Sequence, residues 1–393
     1  MVVVNKPVNQ LQHSAILLEE LKGHIKEEQQ VKTFENILAL FLSVNLRCIL
    51  GNLVEKSKST ASRWFNQAKF DEAAWWRCIQ AWGLARLKSF EQHKVGRKGY
   101  IWVRIDLTSI EKTGKVLPFL RVFNGVNGIH LVVLHVSIGR LSLPLAYRIY
   151  DPNQTHTPIE LALELLKDFP AKSFAGWTCY LLVDSGFYSA DFIKKAAGLG
   201  YTKLSIGARD NLLLKDGRRL KDCRQGERVE LASYPGKALF VAYIDLPRND
   251  TIKRFYVLCT QKGCARTLRR RHARRWPIEA FFQSAKYDFG LKETRLRSET
   301  GIKRWIMLSF LAYSLAAVTR AYQGIQFILE AGVPTPRFIF SFAQAAQHAL
   351  EHLLTAYRSR VLLAAIYRNA HQLGLTVSLV PDPTICPSIS CNS

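Results

Sequence analysis

No Cys-x-x-Cys pair occurs among the eight cysteines (48, 78, 179, 223, 259, 264, 386 and 391). The chain has no start for a zinc site or a dithiol redox motif, and structural thiols in a reducing, cytoplasmic compartment are expected. The ten histidines form no His-Glu-x-x-His pattern and the glycines no Walker-type phosphate loop, which argues against ATP-driven chemistry. Long apolar runs are missing as well. The longest charge-free one in the second half, Ile306 to Val318, falls short of the roughly 20 residues of a bilayer span. It follows Lys303 and Arg304 and reads as a buried helix, so no membrane partner is expected. After Met1 to Val4 the sequence turns polar, without the ordered regions of a secretion signal. No internal repeat is visible. Acidic residues are scarce: 31 Asp and Glu face 55 Lys and Arg, for a net charge of +24. That excess calls for a polyanionic partner, nucleic acid first.

What is present is an ordinary globular composition, 48% hydrophobic and 22% charged over 393 residues, enough for two or three modules. Residues 15 to 92 carry apolar positions at helical spacing. Within them Lys56 to Phe65 forms a polar, basic start to a short helix, like the second half of a helix-turn-helix with Arg63 available to DNA; Trp75 and Trp76 read as core. The connector Lys94 to Gly99 marks a shift to strand-like sequence. Tyr100 to Asp106 alternates as a half-buried strand that ends at Asp106. Phe119 to Phe123 and Ile129 to Ile138 flank the hairpin signal Asn124-Gly125. Thr157-Pro158-Ile159-Glu160 opens a helix to Asp168. Tyr180 to Val183 is a buried strand ending in Asp184, followed by a helix near Ser189 to Ala197 and a strand near Lys203 to Ile206. Three strands, helix, strand, helix, strand is the order of an RNase H-like mixed sheet. Asp210 to Thr260 reads as a β-rich insertion, helix returns from about Arg266, and the tail after Val380 is irregular.

Metal-assisted phosphoryl transfer needs oxygen ligands. Asp106 and Asp184, on strands expected to be neighbours, supply two carboxylates. The third lies in His272-Ala273-Arg274-Arg275-Trp276-Pro277-Ile278-Glu279, which continues to Lys286. At ~100° per residue, positions 272, 275, 279 and 286 share one face of a single helix, although Pro277 must sit near a helix start or kink. A surface ladder of Arg275 with Glu279 would give the same spacing. Between Lys262 and Arg304 thirteen Lys or Arg face four Asp or Glu, a cationic surround for that carboxylate.

The spacing Arg-x3-Glu-x6-Lys, with Trp directly after the Arg, resembles the Tyr-x2-Arg-x3-Glu-x6-Lys motif of DDE insertion-sequence transposases of the IS-four type. Asp106-Leu107-Thr108 and Asp184-Ser185-Gly186-Phe187-Tyr188 are similar to the family's first and second Asp motifs. The likeness covers roughly residues 100 to 320, and the Tyr position is His272. The resemblance implies cut-and-paste DNA transposition. Asp106, Asp184 and Glu279 would bind two Mg²⁺ ions, with Mn²⁺ as a substitute. His272, Arg275 and Lys286 would grip phosphates, Trp276 would stack near a flipped base, and Arg209 would touch the same strand. It further implies double-stranded DNA partners, the terminal inverted repeats and the target, held by a homodimer in a synaptic complex at the nucleoid. The expected divisions are a helical DNA-binding domain (1–98), the first part of an RNase H-like core (99–209), the β-rich insertion (210–261), the second part of the core (262–325), and a C-terminal helical region and tail (326–393). The other readings are an inactive or host-adopted DNA-binding protein and a structure-selective nuclease.

Overall fold

The structure is a computed structural model that describes residues 10–44, 48–53, 55–90, 99–114, 117–248, 251–331 and 341–353. The connector before Gly99, the Pro-containing break at 332–336 and the tail after Val380 lie outside the described residues. Four helices open the chain: α1 (Gln10–Gly23), α2 (Glu28–Leu42), α3 (Lys58–Gln67) and α4 (Glu72–Phe90). The α3 helix begins where Ser57 accepts a hydrogen bond from the Thr60 amide at 3.1 Å, the usual serine N-cap. Phe34, Trp64, Phe70 and Trp75 interlock beneath it, with Phe70 and Trp75 centroids 4.4 Å apart.

Four strands follow, β1 (Tyr100–Glu111), β2 (Leu120–Phe123), β3 (Val126–Ile138) and β4 (Leu141–Ile149), where the sequence pattern leads one to expect three. The β2–β3 turn is Asn124-Gly125, both at positive φ (48° and 78°), as a tight hairpin requires. The unexpected strand is β4. Pro144 interrupts its pattern, but β4 pairs only with β3 and carries a register shift opposite Leu134 and His135, and sheet edges and bulges are where proline is tolerated.

The chain continues through α5 (Pro158–Asp168), β5 (Thr178–Val183), α6 (Ala190–Gly198) and β6 (Leu204–Ala208). Thr157 and Glu160 close a reciprocal capping box on α5, with Pro158 in its first turn. Then come β7 (Arg228–Leu231), β8 (Tyr234–Arg248), β9 (Thr251–Cys259), α7 (Ala265–Ala273), α8 (Trp276–Tyr287), α9 (Glu299–Ala331) and α10 (Phe342–Leu353). Among the described residues all nine strands belong to one mixed sheet, ordered β2-β3-β1-β5-β6-β9-β8-β7 with β4 beside β3. The fold is RNase H-like with helical regions at both ends. The β-rich segment after Asp210 extends the same sheet, because β9 pairs with β6.

α9 runs through the middle of the core. Its stretch Glu299–Tyr322 is long and apolar enough to cross a bilayer by composition, longer than the run of uncharged apolar residues suggests, but 94% of its most apolar window is buried inside the protein. Arg304 on this helix is itself 5% exposed. It donates to the carbonyls of Trp64, Phe65 and Ala68 at the end of α3 and to Glu72. A buried guanidinium whose Nη donors meet the carbonyls of a helix C-terminus and whose Nε–H meets the carboxylate of Glu72 is well compensated. Trp305 beside it packs on Phe41 and Phe65, so the N-terminal helices and the sheet share one core.

Candidate active site

β1 and β5 run parallel, and their pairing ends at Ile105 opposite Val183. Asp106 and Asp184 are the next residue on each strand, so the register itself brings the two carboxylates side by side. Asp106 does not end its strand, as the alternation implied; β1 continues to Glu111 because β3 stays paired to it, with Asp106 opposite Val133. Asp184 stands at the start of the short turn Ser185–Phe187 and makes no capping bond with its side chain. That turn folds back on β6: a Cβ on Gly207 would come within 2.6 Å of the Ser185 amide nitrogen. Only glycine allows this approach, and the contact spans a separation no local pattern reveals.

Glu279 enters from α8. The single helix face expected for residues 272, 275, 279 and 286 is broken at Arg274 and Arg275, which end α7 and start α8 with Pro277 in the first turn. Proline removes an amide and cannot sit within a continuous helix. His272 thus belongs to α7, and Arg275, Glu279 and Lys286 to the start and body of α8. Arg275 donates Nη1–H to Asp106 Oδ2 at 2.6 Å and Nη2–H to Glu279 Oε1. Asp106 Oδ1 accepts the Leu107 amide at 2.8 Å.

Burial pushes the Asp106 carboxyl up to about 6; the Arg275 charge opposes this, and the charges of Asp184 and Glu279 add to it. His272 is held by Ser205, Nδ1 to Oγ at 3.1 Å. Burial, aided by the Arg275 charge, lowers its pKa to about 4, so it is a neutral imidazole at physiological pH. Its other charged neighbour is Asp184.

The remaining expected residues are spread more widely. Lys286 lies seven residues past Glu279, roughly 10 Å along the helix, where its charged neighbour is Glu111 and burial lowers its pKa. Trp276 is 67% exposed beside Arg275. Arg209 is exposed just past β6, at the Gly207 end of the sheet that backs Ser185. Arg63 is exposed on α3 and has no contact with the carboxylates.

Sequence reasoning missed Arg104. It shares the Asp106 face of β1 and is 1% exposed, because α8 and the turn before it cover that face. Its Nε–H donates to the Arg274 carbonyl and its Nη1–H to Ser137 Oγ at 2.9 Å. It thereby ties the α7–α8 turn, and with it Arg275, to β1. Burial and the Arg274 charge lower its pKa to about 9. No carboxylate signals such a residue in the sequence, since its partners are mostly backbone.

Asp106, Asp184 and Glu279 are the donors available to a metal. Among the described residues no three Asp, Glu, His or Cys side chains stand close enough to hold one ion in this arrangement; the Arg275 guanidinium lies between two of them. The chemistry nevertheless fits a divalent cation. The donors are hard carboxylate oxygens, burial and then the neighbouring like charges raise Asp106, and a positive group already bridges Asp106 and Glu279.

Residues 105–315 match the transposase DDE domain family. No curated protein matches the sequence significantly. Among solved structures, that of the piggyBac transposase synaptic complex with hairpin DNA aligns with 95% of this chain and 84% of its own, at a TM-score of 0.56 and 12% identity.

Proposed function

We propose, from the premise that this chain belongs to the DDE transposase family, that it performs cut-and-paste DNA transposition as an IS-four-type enzyme whose Tyr position is His272. Asp106, Asp184 and Glu279 would hold two divalent ions, Mg²⁺ or in its place Mn²⁺, which would supply Lewis-acid stabilisation at a phosphoryl group and activation of the attacking oxygen. Hydrolysis frees a 3′-OH, a hairpin forms and reopens at the donor end, and the freed end attacks target DNA.

The chain's own residues bind and orient the DNA. Arg275 is a planar fork suited to phosphate oxygens once it leaves the carboxylates. Lys286 adds a point charge further along the strand. Neutral His272 offers an N–H without charge. Trp276 presents its exposed ring to an unstacked base. Arg209 and Arg63 contact the backbone, with α3 directed to the terminal repeats. The acting species is a homodimer on duplex DNA in the cytoplasm. The three-dimensional likeness to a transposase in complex with hairpin DNA supports this reading.

The observation that carries the reading is that Arg275 bridges Asp106 of β1 and Glu279 of α8, while the β1–β5 register sets Asp184 in the position next to Asp106. Its test is Mg²⁺-dependent cleavage of transposon-end DNA by Asp106→Ala, Asp184→Ala and Glu279→Ala. Each abolishes cleavage and leaves end binding intact; full cleavage by any one overturns the assignment. Wild-type binding without cleavage in either metal points to a non-catalytic DNA-binding protein. Cutting of branched DNA irrespective of end sequence points to a structure-selective nuclease.

A further inference from the structure

α3 and the segment that leads from α8 into α9 enclose an open groove of ≈ 470 Å³, lined by Ser62, Asn66, Arg295, Leu296, Arg297 and Ser298. Its two walls come from opposite ends of the chain and are fixed to each other. Arg304 anchors the end of α3 from below. Asn66 Oδ1 accepts from Ser298 Oγ, and a Cβ on Gly301 would lie 2.8 Å from both of those oxygens, so the helices meet closely there.

The segment is extended, with Thr294 and Leu296 buried and Arg295 and Arg297 exposed. The two guanidinium groups therefore project to the same side, roughly 7 Å apart along the backbone. The carboxylates nearby are engaged elsewhere: Glu111 faces Lys286, Glu293 faces Lys112, and Glu299 pairs with Lys303 at 3.6 Å. Among the described residues Arg295 and Arg297 have no carboxylate in ion-pair range.

The groove is connected to the carboxylate centre by positive charge. Lys112, which adjoins Arg295 and donates to the carbonyls of Lys292 and Thr294, lies six residues beyond Asp106 on the β1 path, about 20 Å away. Lys286 stands between them, opposite Glu111. A track of Arg275, Lys286, Lys112, Arg295 and Arg297 thus covers the length of about six base pairs of duplex.

We infer that the groove between α3 and Thr294–Ser298 is a second DNA site, a clamp on the phosphate backbone of a duplex whose scissile end lies at the carboxylates. The inference rests on the transposase reading for what the far end of the duplex does, but the clamp itself is a statement about backbone binding. Two arginines on an extended segment grip successive phosphates, and the Ser62 hydroxyl, beside an Asn66 whose amide is held by the Ser62 carbonyl at 2.7 Å, donates to the same strand. None of these groups depends on base sequence.

The test uses the full-length protein and two unrelated 30-base-pair duplexes, with affinity measured by fluorescence anisotropy over a range of salt concentrations. Arg295→Ala/Arg297→Ala lowers affinity for both duplexes by a similar factor, about tenfold or more, and makes the slope of log K against log salt shallower by about two. Arg295→Lys/Arg297→Lys restores the slope. The same loss of charge at exposed Arg224 and Arg228 leaves it unchanged, and an unaltered melting temperature shows that the fold is intact. An unchanged slope in the alanine variant, or weakening confined to one duplex, overturns the clamp. If the slope changes as stated while the Asp106, Asp184 and Glu279 variants still cleave, the clamp stands and the transposase mechanism falls. If those variants lose cleavage and the slope is unmoved, the mechanism stands and the clamp falls.

Discussion

Arg275 spans Asp106 and Glu279, one guanidinium nitrogen on each, with Nη1 2.6 Å from the Asp106 carboxylate. A side chain at the start of α8 thereby neutralises two carboxylates on different elements, and a metal ion must compete with it for the same oxygens.

Replacing that arginine separates its two roles. Arg275→Gln leaves Asp106 facing like charge with only a neutral partner, and the metal-free protein loses roughly 1–3 kcal/mol. Added Mg²⁺ or Mn²⁺ then raises the melting temperature more than in the wild type, because no cation has to be displaced, while DNA cleavage falls. Differential scanning fluorimetry with and without metal checks this; equal metal-induced shifts in both proteins refute it.

Asp106 carries a stability cost when ionised. Its folded pKa of about 6 lies above the ordinary carboxylate value. The native state thus holds the proton more tightly than the unfolded chain, and stability falls as pH rises through the window from about 4 to 6. Asp106→Asn in EDTA is expected to be more stable than wild type above pH 6, by roughly 3 kcal/mol, with the gain vanishing below pH 4. Urea denaturation at pH 4 and pH 8 measures the difference.

His272 acts with the opposite sign. Its folded pKa of about 4 lies below 6.5, so its contribution is complete above pH 6.5 and is lost as pH falls toward 4. His272→Tyr removes that group, so the stability of the wild type relative to the variant increases as pH rises across 4–6.5. Curves that superimpose with those of the wild type over this range would show that the imidazole is not buried as described.

Gly207→Ala places a methyl group 2.6 Å from the Ser185 backbone. The turn after Asp184 must move away from β6, at a cost on the order of 1–3 kcal/mol, and cleavage drops more than DNA affinity because a carboxylate is misplaced. Separate measurement of Kd and single-turnover rate distinguishes the two; equal losses would mean general unfolding.

Local chemistry wrote much of this fold into the sequence. The Thr157 capping box, the Asn124-Gly125 turn and the apolar run before Asp184 each depend on neighbours within a few residues, and all are present as read. The Arg275–Glu279 spacing predicted that these two side chains would meet, and they do, although the helix it suggested is two helices parted near Pro277. What escaped has long-range causes. β4 was hidden by a proline tolerated only because its strand is an edge. The burial of Arg104 depends on a turn arriving from far along the chain, and the need for Gly207 on a backbone two strands' length away. Asp106 looked like a strand end because the partner that continues its ladder, β3, pairs from the other side.

Arg304 sets a limit on how this protein can be divided. A fragment beginning near Gly99 would retain the sheet and the three carboxylates, yet it would leave that guanidinium without the α3 carbonyls and expose Trp305 to water. Such a truncated catalytic fragment should be insoluble, whereas supplying residues 1–98 as a separate polypeptide should restore it by reassembly. Biochemistry on isolated pieces would then report the consequences of an opened core, and the two ends of the chain would have evolved as one body.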